Sequence, residues 1–459
     1  MTPRNLPMLR LAGSILLLVL PLNALAGPCT VEAFDSCYIG VDAVSDTQVL
    51  NTVADPYNFV GLGIRSAEPM IPPNDPTFLG AANGSLRVVA GGLLALNYLP
   101  ATIGNPTNRP LDNSVLVGVS ANATGVLEVD GGTVTTPLLY VGQANDARPS
   151  TGIVTITNGG TVTATIDSLA GPAINLNAVN VGRGLGSTGT LTVSGPGSTL
   201  GTPDGGISLA RLGTATLAVL EGGVVTVGGT LFGSTVSPLG RADILVAGEG
   251  STLDVGTFAV LVGINVLTLA LDDPNHGTAT LDVREGGQVL GDVTVGPGGT
   301  LRGDGMIVGD VLNRGGLIGP GNSPGTLHID GSLTQQGGVF DIEIASPSLS
   351  DVIDVSGDVS LEDVLIRFTF IDGYAPDAGD VFQFLRVAPG SLLGSVNPVF
   401  AVRGLQPGFE FSVSNTDGVL RLAALSAGIA VPAPAAPGLL MLVGISLVPL
   451  LRRRASRRA

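Results

Sequence analysis

Lysine and tryptophan are absent from this 459-residue chain, and histidine and cysteine occur twice each. Aromatic residues make up only 4%. Each shortage excludes something. His276 and His328 stand far from Cys29 and Cys37, so a His/Cys zinc site is not assembled. Two histidines and no nucleophile elbow give no anchor for a Ser-His-Asp arrangement. A polysaccharide lyase has no lysine to use as its base. With so few rings, a core must be built from Val, Leu, Ile and Ala, which suits a narrow, regularly stacked interior.

What is abundant is glycine, 68 residues, with 31 prolines, in a chain that is 44% hydrophobic. That hydrophobic share excludes a disordered polar chain. Many apolar residues interrupted by many turn-formers predict short strands joined by tight turns. Charge is unevenly placed. Arg4, Arg10, Arg452, Arg453, Arg454, Arg457 and Arg458 lie at the two ends, leaving 14 Arg against 37 acids in the body, a net of −23. An acidic body argues against nucleic acid as partner and fits a soluble exported surface.

Six segments repeat one pattern of two apolar residues spaced by two, a turn, a glycine pair or near-pair, and another apolar strand. Their equivalent positions are Leu127, Val154, Leu191, Leu217, Ile244 and Leu281, with spacings of 27, 37, 26, 27 and 37 residues. Such a period marks a solenoid or array. Alternation and glycine content exclude helical repeats. Leu127 and Val129 are expected on the inner face with Glu128 outside, and Gly131-Gly132 supplies a positive-φ turn to the next side of the coil. These units resemble the repeats shared by type V secretion passengers and PEP-CTERM proteins. The run Pro320-Gly-Asn-Ser-Pro-Gly-Thr-Leu resembles the passenger-associated repeat of autotransporters, and Gly373-Tyr-Ala-Pro-Asp-Ala-Gly-Asp-Val-Phe resembles the segment that follows it. Within the run, Asn322-Ser323 reads as turn chemistry rather than a catalytic loop.

Both ends carry targeting features. Residues 1–26 read as a secretory signal: Arg4 and Arg10, an apolar Leu11 to Leu20, then Ala24-Leu25-Ala26, with cleavage expected before Gly27. In an oxidising compartment Cys29 and Cys37 are expected to form a disulfide, the alternative being two free thiols. At the other end stand Val431-Pro432-Ala433-Pro434-Ala435, the apolar stretch Leu439 to Leu451, and Arg452, Arg453, Arg454, Arg457 and Arg458. The stretch is short for a membrane span but just crosses if counted from Ile429, and the arginines stay cytoplasmic. Proline motif, apolar helix and Arg cluster in that order resemble the tripartite PEP-CTERM sorting signal, in its VPxPA variant because Ala433 stands where the family usually has Glu. The resemblance implies transient handling by an exosortase-type sorting enzyme of a Gram-negative bacterium, then release to the cell surface or extracellular matrix. An ordinary C-terminal tail anchor has the same topology.

The expected fold is all-β: a right-handed parallel β-solenoid (β-helix) with an aromatic-rich β cap, an N-terminal signal helix and a C-terminal transmembrane helix. The divisions are 1–26 signal; 27–110 irregular N-terminal cap and first rungs; 111–330 repeat solenoid; 331–425 β-rich cap, where nine aromatics follow only three in 111–330; and 426–459 sorting signal. Acids such as Asp130, Glu221, Glu249 and Glu285 sit in turns, no calcium nonapeptide repeat is seen, and Gly182-Arg-Gly-Leu-Gly precedes a strand and is a turn rather than a phosphate loop. No catalytic residue, metal ion or cofactor is therefore expected. The leading functional reading is a structural or adhesive surface protein of the extracellular polysaccharide or biofilm matrix, binding glycans or other surface proteins. The alternatives are a β-helical polysaccharide lyase or glycosidase, and an autotransporter-like passenger.

Overall fold

Strict apolar/polar alternation over four to eight residues favours strands, and glycine every few residues breaks each strand before it grows long. The computed structural model follows that rule: every regular element among its described residues is a β-strand. The structure describes residues 36–41, 45–50, 59–64, 83–95, 114–119, 122–143, 149–166, 177–234, 238–262, 277–321, 324–391, 393–396 and 398–431. The expected signal segment, Cys29, the side chain of Cys37, Pro432 to Ala435, the apolar tail and its Arg cluster lie outside the described residues. Among the described residues no helix is long and apolar enough to cross a membrane.

The chain circulates through three faces. Thr124–Asp130 lies on the first, Thr133–Thr136 on the second and Leu138–Val141 on the third, and Ser150–Thr157 then returns to the first. Each strand pairs in parallel with its counterpart one coil away: Thr124–Asp130 with Ser150–Thr157, Thr133–Thr136 with Thr161–Ala164, and Leu138–Val141 with Asn177–Val181. The first face is a 14-stranded sheet. The other two merge into one 24-stranded sheet, because Thr252–Val262 and Gln288–Val295 each run through the corner between them.

The repeat positions stack in register. On the first face Leu86, Leu127, Val154, Leu191, Leu217, Ile244, Leu281, Leu301, Ile318, Phe340, Ile366 and Phe400 form one continuous column. All but the terminal Phe400 are buried, as is the parallel column from Val88 through Val129, Ile156, Val193, Val219 and Val246 to Val283. At roughly 1.5–3 kcal/mol for each fully buried Val or Leu, these columns dominate the favourable side of folding. Spacings of 27 and 37 residues are both accommodated because the extra residues fall between strands, never within the first-face register.

The glycine pairs do two different jobs. At Asn158-Gly159-Gly160 the first two residues have φ of 54° and 78°, and the Gly160 amide donates to the Thr157 carbonyl at 2.9 Å, a type I′ turn. Glu221-Gly222-Gly223 repeats it with φ of 53° and 84°. The second glycine is required by proximity: a Cβ on Gly160 would sit 2.3 Å from the Val129 carbonyl oxygen, and one on Gly223 2.5 Å from that of Val193. The positive φ expected for both Gly131 and Gly132 is therefore found at Gly131 alone, at 72°.

The residue-330 boundary is not a break in pairing. Val339–Ser346, Leu365–Phe370 and Val399–Arg403 continue the first face in parallel register. On the second face antiparallel pairing closes the coil, with Val419–Ala424 lying between Val381–Val387 and Phe411–Thr416. The aromatics fill the end of the core. The Phe368 ring meets Phe384 edge-on at 5.1 Å, and Phe400 and Phe411 lie 6.0 Å from it. Larger rings close a cross-section that Val and Leu fill elsewhere.

Candidate functional surface

Because side chains alternate, each inward column has an outward neighbour, and the outer surface is a set of columns as regular as the core. On the first face Thr124, Thr151, Thr188 and Thr214 follow one another at the strand spacing of about 4.8 Å. On the second, Thr133, Thr161 and Thr199 do the same, with the Thr199 and Thr161 hydroxyls 3.3 Å apart. Threonine suits these places because its β-branch favours the strand. The result offers repeated hydroxyl and methyl groups, able to make many weak contacts with an extended polymer.

Several charges on this surface pair between coils. Arg302 Nε donates to Asp282 Oδ2 at 3.0 Å across adjacent first-face strands. Arg367 reaches both oxygens of Asp341, at 2.9 and 2.5 Å, and Thr369 donates to Asp341 at 2.8 Å. Burial pushes the Asp341 carboxyl up, but Arg367, Thr369 and Arg403 together hold it below the usual range. Asp130 is held low by hydrogen bonds from Asn158 and then Arg87. On the second face His328 Nδ1 lies 3.4 Å from Asp354, and Arg386 lies 4.0 Å from the same carboxylate. Exposed pairs of this kind contribute about 1 kcal/mol or less.

The turn acids Glu221, Glu249 and Glu285 recur at one corner of successive coils, where the Glu221 amide donates to the Ala247 carbonyl at 3.1 Å and a Cβ on Gly286 would fall 3.4 Å from Glu249 Cα. Glu221 and Glu285 occupy left-handed turn positions, with φ of 53° and 54°, and Glu221 accepts from Ser194 at 3.1 Å. Among the described residues no group of three or more His, Cys, Asp or Glu is arranged to hold a metal ion. Gly182 to Gly186 is a turn leading into Ser187–Ser194, with φ of 65° and 73° at its two ends. Asn322, Ser323 and His276 lie outside the described residues, and of the proline motif only Val431, half exposed, is described.

Three features leave no local pattern in the sequence. Asp351 is buried, and its two oxygens accept the amides of Gly325 and Glu343, each at 2.8 Å. Tyr374 donates to Asp380 at 2.8 Å; burial and then that carboxylate raise its phenol, and the Asp377 amide donates to the same oxygen. On the third face Leu116 and Tyr140 point outward, between core residues on either side, yet are only 4% and 5% exposed. The Arg183 guanidinium lies 5.7 Å over the Tyr140 ring. Outward apolar side chains on one of three faces break the alternation from which sequence patterns are read.

No protein-family model matches this chain, and no curated protein matches it. Among solved structures it is similar to the TibC-catalyzed, hyper-glycosylated TibA55-350 fragment, at 16% identity and a TM-score of 0.28, over 80% of this chain and 97% of that one.

Proposed function

We propose that this chain is an exported, non-enzymatic cell-surface protein whose body is a right-handed β-solenoid, the usual hand for parallel strand crossovers. It acts as a structural or adhesive element of an extracellular polysaccharide matrix. The observation that supports this reading is the pair of outward threonine columns, Thr124 to Thr214 and Thr133 to Thr199, set in register across successive coils. Such a surface favours long, repetitive, weakly held ligands over a small molecule in a cleft. A neutral polysaccharide is a repetitive polymer that the acidic body does not repel. Export relies on residues 1–26. Surface delivery relies on the Val431 to Ala435 motif, the apolar tail and the Arg cluster acting as a sorting signal for an exosortase-type enzyme.

The test is a pull-down of the purified chain on the exopolysaccharide of its own source, with columns disrupted by Thr151→Glu, Thr188→Glu and Thr161→Glu together. Loss of retention in the triple variant supports the reading. Equal retention of parent and variant, or release of shortened sugar chains by the parent, overturns it. Mass spectrometry of the mature C-terminus examines sorting separately: a new end between Val431 and Ala436 supports processing, and an intact Arg tail in the membrane contradicts it.

A further inference from the structure

We propose that copies of this chain associate side by side, the third-to-first corner of one seated on the first-to-second corner of the next. In the repeat region each first-face strand runs from the former corner to the latter, so the two corners are the margins of one sheet. At the third-to-first corner Leu185, Leu212 and Leu239 recur on three successive coils, in the turns that precede Ser187–Ser194, Thr214–Leu220 and Arg241–Ala247. They are 41%, 36% and 64% exposed. Backbone bonds hold these turns one above another: the Gly213 amide donates to the Gly182 carbonyl at 3.1 Å, and the Arg241 amide to that of Gly213 at 2.9 Å. Arg183, Arg211 and Arg241 stand within two residues of the leucines. Arg183 lies over Tyr140, and Arg241, well exposed, reaches Asp243 at 3.4 Å. From residue 168 to residue 220 the only acid is Asp204, and it lies at another corner, between Thr199–Thr202 and Gly206–Leu209. This margin is therefore apolar and basic in a body that carries 14 Arg against 37 acids.

The other margin is its complement. Glu221, Glu249 and Glu285 are exposed on successive coils, and Asp304 follows, its carboxylate accepting the Glu285 amide at 2.9 Å. Arg284 ends one of the strands that lead into this row. Glycine flanks each glutamate, at Gly222, Gly248, Gly250 and Gly286, so backbone is open to approach between the carboxylates. Pro196 adds an apolar ring there, since a Cβ on Gly222 would lie 3.6 Å from Pro196 Cγ. Both rows follow the same coil spacing of about 4.8 Å. The leucines belong to the coils of Ser187–Ser194, Thr214–Leu220 and Arg241–Ala247, and the glutamates to those of Thr214–Leu220, Arg241–Ala247 and Thr278–Arg284. With two coil axes parallel and one copy shifted by a single coil, a leucine turn meets a glutamate turn at all three levels. Arginines then face carboxylates, and leucines lie over glycine and proline. A second copy is the occupant because the chain itself carries the complement of this margin in charge, spacing and length. Like margins repel, which fixes the pairing as unlike to unlike. Such a contact is heterologous and leaves a free margin on each side, so it extends into a flat row of chains. The inference does not depend on glycan binding.

The experiment is sedimentation velocity of the full chain in detergent, over a range of concentrations at low and at high salt. Three variants are compared with the parent: Leu185→Ser with Leu212→Ser and Leu239→Ser; Glu221→Arg with Glu249→Arg and Glu285→Arg; and Arg211→Glu with Arg241→Glu. The parent is expected to grow in mass with concentration at low salt and to lose that growth at high salt. Each variant alone is expected to associate about tenfold more weakly, or not at all. An equimolar mixture of the glutamate and arginine variants is expected to recover association, because each then carries a margin that fits the other. Circular dichroism identical to the parent's shows that the fold is intact in each. A parent that stays monomeric, variants that associate like the parent, or a mixture that stays dispersed overturns the proposal. So does a monomeric parent that binds phosphatidylglycerol vesicles through the leucines, which assigns the row to a lipid surface instead.

Discussion

The carboxylate of Asp351 accepts the amide of Gly325, 26 residues earlier in the chain, at 2.8 Å. Its second oxygen takes the Glu343 amide, so one side chain ties the strand Val339–Ser346 to the start of Thr326–Asp330. Burial pushes the Asp351 carboxyl up to about 7, against the pull of those two amides, and the charges of Glu343 and Asp341 push the same way as burial. The folded pKa thus lies above the ordinary value of 3.8. Folding favours the protonated form. The contribution is fully present below the unfolded value and is lost as pH rises through the folded one.

Stability of this part of the coil is therefore expected to fall between about pH 4 and about pH 7, with an upper bound of roughly 4 kcal/mol from this group. Denaturant midpoints at the two pH values measure it. The Asp351→Asn chain is expected to lose most of that dependence. A slope identical in parent and Asp351→Asn would show that Asp351 does not titrate in this window.

Glycines that look alike in the sequence are expected to differ in cost. Gly223→Ala drives a Cβ to 2.5 Å from the Val193 carbonyl oxygen, so two coils must separate locally. Destabilisation of about 2 kcal/mol or more follows from overpacking against backbone. Gly201→Ala meets nothing within 4 Å and is expected to be neutral or slightly stabilising, because it restricts only the unfolded chain. Thermal unfolding of the two variants side by side decides the matter; equal effects would contradict the assigned close approach.

At the C-terminal end, Phe368 touches Phe384, Phe400 and Phe411 and is fully buried. Phe368→Ala is expected to cost about 3–5 kcal/mol. In a stacked architecture each coil contacts only its neighbours, so the loss should stay local. Hydrogen exchange should accelerate in Val399–Arg403 and Phe411–Thr416 and stay unchanged in Thr124–Asp130. Uniform acceleration along the whole chain would be the contrary result.

The first-face columns are legible because each strand repeats the same short alternation, and Leu127, Val154, Leu191, Leu217, Ile244 and Leu281 meet in the register their patterns specify. The corner turns are half legible. Glycine is visible, but the collision that demands Gly160 involves the carbonyl of Val129 on the preceding coil, which no local pattern records. The continuation of parallel pairing beyond residue 330 is hidden by larger side chains: Phe340 occupies the same column position as Ile318, and the aromatic content suggests a different layer. Asp351 reads as one more acid in a polar stretch, since its burial follows from strands brought over it by the coil. The charge pairs of Asp282 with Arg302 and Asp341 with Arg367 likewise join residues 20 and 26 apart.

The seam between successive coils of the repeat region has one construction: three parallel strand pairings and a type of corner that recurs. Removing a whole repeat, from Thr214 through Gly240, would bring Arg241 to the place that Thr214 holds against Thr188. Ile244 would then meet Leu191 where Leu217 now does, and Val246 would meet Val193. The new seam joins apolar to apolar and outward to outward. Length is thus a freely adjustable dimension of this molecule, open to duplication or loss of single coils, while its width is fixed by the residues that fill one cross-section.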